Sequence, residues 1–144
     1  MLLRGTSSQT SGRDVSPDSG PSSSPGAEVR RAVLGDAHVD RAPGARGLLA
    51  TTWREYSDAV AWGQVWTRPG LDLRTRSICT VAVLCALGES RQLATHIRGA
   101  LRQGVTSAEL AEIFIHVGSY AGAPRAATAI EIADAVLAEN PGPE

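Results

Sequence analysis

Aromatic residues are scarce in this chain: three Trp, two Tyr and one Phe in 144 residues. Cysteine is scarcer, at two. Cys79 and Cys85 fall in one apparent helix, where a rise of 1.5 Å per residue sets them roughly 9 Å apart, too far for a mutual disulfide. They are expected to be small buried hydrophobes of a protein in the reducing cytoplasm. Neither sign of charge dominates, the formal net charge being -1, so no polyanion-binding surface and no nucleic-acid partner are expected. No run of about eighteen apolar residues exists to span a membrane, and the opening MLLRGTSSQT lacks the apolar core of a secretory signal. His38, His96 and His116 show no HxxxH or HExxH spacing and no Cys joins them, so no metal site is expected. No segment alternates with strand period, which predicts an all-α fold in a single domain.

What is present is helical punctuation. Residues 1–26 are dominated by Ser, Gly, Pro and Thr and cannot bury enough apolar surface to offset their ordering entropy, so they are expected to form a disordered tail or linker. The helical domain is expected over residues 27–140, with about six helices. AEVRRAVLG gives about two helical turns closed by Gly35, and DAHVDRAPG is expected to be a loop. A helix from about Ala45 to Trp66 carries Leu49, Trp53, Tyr56, Val60 and Gly63 at three- and four-residue steps. Asp72 is a fair N-cap for a helix over Leu73 to Leu87, stopped by Gly88. That helix is apolar on nearly every side, which predicts a central position or burial in a subunit interface. A helix over Ser90 to Gln103 follows, with Leu93, Ile97, Ala100 and Leu101 inside and Arg91, Thr95, Arg98 and Arg102 on the opposite face. TSAE, from Thr106 to Glu109, is a capping box that opens a further helix to about Ala121. Gly122 and Pro124 separate it from a last helix ending near Glu139.

The few aromatics are not evenly spread. AWGQVWTRPGLDLRTRS, residues 61–77, holds Trp62 and Trp66 together with Arg68, Arg74 and Arg76. Large aromatics on an amphipathic helix pack as core, and they equally form flat walls for a small organic anion. Arg74 and Arg76 lie in the first turns of their helix, where the dipole disfavours cations by roughly 0.3–1 kcal/mol each. A carboxylate, from the protein or from a ligand, would remove that conflict. His96 stands about 40–60° from Leu93 and Ala100 around its helix and so borders the buried stripe. Such an imidazole is either satisfied by a backbone carbonyl or poised as a general acid or base at a cavity edge. His116 shares a ridge with Glu112 and Tyr120.

Taken together, VRRAVLGDAHVDRA, AWGQVWTRPGLDLRTRS, HIRGALRQGVT and YAGAPRAATA resemble the gamma-carboxymuconolactone decarboxylase family, over about Glu28 to Glu139. Related alkylhydroperoxidase-like proteins use a CxxC pair ahead of a histidine. Glu89 and Gln92 occupy those positions ahead of His96, so thiol peroxidase chemistry is not expected. The resemblance implies conversion of gamma-carboxymuconolactone to the enol-lactone of beta-ketoadipate, with loss of carbon dioxide, in protocatechuate breakdown. It implies no cofactor and a homo-oligomer, trimer or hexamer, acting on a small lactone carboxylate. On that reading His96 donates the proton, with His38 as second choice. Arg74 or Arg76 holds the substrate's acetate arm, with Arg30 or Arg31 as a further anchor, while Trp62 and Trp66 wall the departing carboxylate and Tyr120 belongs to the pocket lining. Ala121, Thr128 and His116 replace residues usual in the family near Tyr120. That leaves two rival expectations, a different small lactone or acid as substrate and a non-catalytic ligand-binding oligomer. Fusion to an enol-lactone hydrolase also occurs in the family, and residues 1–26 would suit such a junction, but no GxSxG is present.

Overall fold

The computed structural model describes residues 24–41 and 47–139, and among these every regular element is helical. The first helix, α1 (Pro25–Leu34), opens with Pro at its first position, and the Ser24 hydroxyl accepts from Ala27 N at 3.2 Å. It therefore takes its first two residues from the stretch expected to be tail; the remainder of that stretch, up to residue 23, lies outside the described residues. Gly35, at φ 83°, ends α1. The segment expected to be a loop instead begins with a short helix, α2 (Asp36–Arg41). Its acidic residues are drawn to one cation: Arg31 reaches Asp36 at 3.0 Å and Asp40 at 2.7 Å.

The long helix expected from Ala45 is two elements. An α-helical stretch, α3 (Gly47–Ser57), runs into a π-helical segment, Asp58–Val65. Trp66 N donates to Ala61 O at 3.0 Å, five residues back. Leu49, Trp53 and Tyr56, which keep the apolar three- and four-residue steps, are exposed, and α3 buries no residue at all. Past the change of register, Trp62 and Trp66 are buried.

The remaining helices match their sequence signals closely. They are α4 (Leu73–Leu87), α5 (Ser90–Arg102), α6 (Ser107–Ala121) and α7 (Ala123–Glu139). Asp72 caps α4 by accepting from Thr75 N at 2.6 Å, and Gly88 closes it at φ 76°. Thr106 and Glu109 form the reciprocal capping box of α6. These four helices share one core, built on Val81, Leu93, Ile97, Leu110, Phe114 and Val136. Only one side of α4 joins it. Ser77, Val81 and Cys85 are buried, whereas Cys79, Val83 and Leu87 are exposed, so Cys79 is not the buried hydrophobe expected. Among the described residues, no helix is long and apolar enough to cross a membrane.

A second, smaller core ties the N-terminal elements to this bundle. Val33, Leu34, Trp62 and Trp66 are its buried members, with Val29, Val39, Ala61 and Leu73 packed against it. Two glycines make the close approaches. A Cβ at Gly26 would lie 2.6 Å from Asp58 O, and one at Gly99 would lie 3.1 Å from Val33 O. α1 therefore packs directly on α5 at Gly99, one turn beyond His96.

Candidate active site

The π segment sets Trp62 and Trp66 four residues apart with their rings stacked, centroids 4.9 Å apart and planes 27° from parallel. His96, on α5, lies against both. Its ring is 6.4 Å from Trp62 at 7° and 6.3 Å from Trp66 at 24°. The three rings form one near-parallel aromatic group where the two cores meet. His96 as a whole is half-buried, yet its Nδ1 is shielded from solvent and has no hydrogen-bond partner among the described residues. The backbone-satisfied boundary histidine is thus not what forms here. Burial, with a lesser push from His38, lowers the His96 pKa to about 4, so the imidazole is neutral at pH 7.

The other expected site residues separate into groups. Arg74 is ion-paired with Glu109 of the capping box, so a protein carboxylate answers its conflict with the helix dipole. The Thr106 backbone N–H, and then Arg74, hold Glu109 down to about 2. Arg31 is committed to Asp36 and Asp40. Arg30 lies 3.5 Å from Asp58 at the start of the π segment. Arg76 turns back to donate from NH2 to Arg68 O at 2.9 Å, close past Trp66 in the chain, and its Nε is buried without a partner. Tyr120 is 83% exposed, its ring 4.9 Å from His116 on the same helix. The structure joins Tyr120 to His116 and does not bring it to the indoles.

His38 is exposed on α2, but the atoms crowding its ring remove part of its water, and that desolvation, followed by Arg30, Arg41, Arg98 and Arg102, lowers its pKa. The last three arginines share with it the lining of a cavity of about 560 Å³. Leu34 lines that cavity and also packs in the core of Trp62 and Trp66. Arg41, Arg98 and Arg102 were not among the sequence candidates. Their signal was present but read differently: Arg98 and Arg102, four residues apart beside Thr95, looked like a solvated helix face.

The fold and site define a small all-α protein in which a half-buried imidazole is stacked on paired indoles, with an arginine-lined cavity sharing Leu34 with the indole core. Residues 49–135 match the carboxymuconolactone decarboxylase family, and the chain belongs to that family. It is 41% identical over 112 residues to the 4-carboxymuconolactone decarboxylase of Acinetobacter baylyi, covering 78% of this chain and 84% of that protein. It is also 36% identical over 99 residues to the nitrosuccinic acid decarboxylase npaB of Metarhizium robertsii, 69% of each chain.

Proposed function

We propose that this chain decarboxylates carboxymuconolactone, with the paired indoles walling the carboxylate that leaves and His96 returning the proton. The observation that carries this reading is the stacking of His96 on Trp62 and Trp66, with Nδ1 shielded and unpartnered. The similarity to the Acinetobacter decarboxylase supports the choice of substrate.

The lactone has its own electron sink. When the bond from the ring's gamma carbon to its carboxylate breaks, the electron pair moves through the ring double bond onto the lactone carbonyl. Carbon dioxide leaves, and an oxyfuran-like dienolate remains. Protonation at the alpha carbon completes the reaction, consuming one proton for each carbon dioxide released. An apolar indole face favours the step because the carboxylate loses its charge as the bond breaks. A guanidinium at that carboxylate would stabilise the reactant instead, so arginine belongs at the arm that stays.

His96, neutral at pH 7 in this fold, becomes a donor when substrate binds. A dianionic lactone supplies the negative charge that favours imidazolium, and the indole faces favour the cation further. Once protonated, the ring stabilises the developing oxyanion and then gives its proton to carbon. The imidazole recovers a proton from water.

We also infer that the working form is a homo-oligomer, a trimer or hexamer. Leu49 and Trp53 on α3 are 86% and 67% exposed, and α3 has no buried residue to explain its apolar side within one chain.

The npaB similarity favours one further reading, decarboxylation of another small acid such as nitrosuccinic acid. A panel of the two acids, with product analysis, separates them. The mechanism itself is tested by His96→Gln. The account expects kcat on carboxymuconolactone to fall roughly 100-fold or more with little change in KM. Wild-type kcat in that variant would remove His96 from the chemistry.

A further inference from the structure

The cavity beside His38 is built from elements that sequence reading left apart. One wall is α2, with His38 and Arg41; the other is the outer face of α5, with Thr95, Arg98 and Arg102. Its volume of about 560 Å³ suits a small organic ligand, since such pockets span about 300–1,000 Å³. We propose that this cavity is the subsite for the carboxylate the substrate keeps, with Arg41 and Arg102 as the guanidiniums that meet it. This rests on the decarboxylase reading above.

Charge favours an anion there. Three guanidiniums line the cavity against one carboxylate, Glu139. Arg98 already grips that carboxylate through Nε and Nη2, at 2.7–2.9 Å to both oxygens, so the pair is a neutral side of the cavity. Arg41 and Arg102 make no ion pair among the described residues. After burial and Arg30, the same three arginines each push the His38 pKa down, so their positive field reaches its ring.

Arg102 is placed, not loose. Its NH1 donates to Val33 O at 3.4 Å, at the C-terminal end of α1, and its guanidinium lies over Gly35. A Cβ on residue 35 would sit 2.7 Å from that guanidinium. The glycine that turns the chain from α1 to α2 thus also leaves room for the arginine.

Position links the cavity to the reacting centre. Leu34 both lines the cavity and packs with the indoles, Thr95 precedes His96 on α5, and His38 is near enough to His96 to lower its pKa. A lactone ring against the indoles would send its short acetate arm past Leu34 toward these cations. Of the arginines expected to hold the arm, Arg30, Arg31 and Arg74 are paired with protein carboxylates. Only Arg76 remains as a competitor.

The test compares carboxymuconolactone with its analogue in which the acetate arm is an amide. It uses the full chain and the variants Arg41→Gln, Arg102→Gln, the double variant and Arg76→Gln. For wild type, the acid is expected to be preferred in 1/KM roughly 10- to 100-fold, with a smaller change in kcat. In the double variant that preference should collapse, and each single variant should lose part of it. Should Arg102→Gln fail to fold, Arg41→Gln still decides the matter, because Arg41 is exposed at the end of α2. An intact preference in both single variants overturns the proposal, as does its loss in Arg76→Gln alone. Calorimetric binding of both compounds is read in parallel. Binding that needs Arg41 and Arg102 but releases no carbon dioxide keeps the subsite and contradicts the decarboxylase reading.

Discussion

His96 joins the two cores, and its protonation is tied to both stability and chemistry. Its pKa is near 4 in the folded chain against about 6.5 unfolded, so the unfolded chain binds more protons between those values. The contribution to stability is complete above pH 6.5 and is lost as pH falls toward 4, by up to about 3 kcal/mol. Urea unfolding of wild type and His96→Phe across pH 4–7 should show that slope in the difference between them. His38 has a depressed pKa too and is common to both chains, so it cancels. Parallel stability curves would mean that the folded imidazole titrates normally. The proton that destabilises the folded chain is the one the reaction needs, which is why bound negative charge must bring it. Trp62, Trp66 and His96 were legible in sequence from their spacing and from the edge of the α5 stripe. The pairing of Arg74 with Glu109 was not, because the partners lie on different helices.

At the scale of elements, legibility followed local chemistry. Asp72, Gly88 and the Thr106–Glu109 box act within a few residues of themselves, and their helices form where those signals stand. The π segment has no such mark. The three- and four-residue apolar steps through Leu49, Trp53 and Tyr56 run true as an α-helix, and the register shifts only beyond Ser57. Packing of Gly26 against Asp58 O and the backbone of Gly63 is a tertiary fact that no spacing displays. The same holds for α2, whose two aspartates converge on Arg31 from α1. The corner between α1 and α2 can be tested directly. Gly35 and Gly104 share positive φ, at 83° and 82°, but a Cβ at Gly104 meets nothing within 4 Å. Gly104→Ala should therefore cost only the backbone strain, about 1–2 kcal/mol. Gly35→Ala should cost clearly more in denaturant unfolding, because it also displaces Arg102. Equal costs would show that Arg102 yields freely.

Over the whole molecule, two cores meet around one aromatic group while apolar surface is left uncovered on α3. Changing Leu49 and Trp53 together to Glu should move the chain to a smaller species in sedimentation velocity, since charge in an apolar interface goes unpaired. A wild type that is already monomeric at micromolar concentration would refute the assembly. The central claim is that this site removes a carboxyl group from carboxymuconolactone, and its most direct measurement is carbon dioxide released per lactone consumed by the purified full chain. The account expects one carbon dioxide for each lactone lost, far above the rate without protein. Lactone that binds and is recovered unchanged, with no carbon dioxide above the uncatalysed rate, would contradict it.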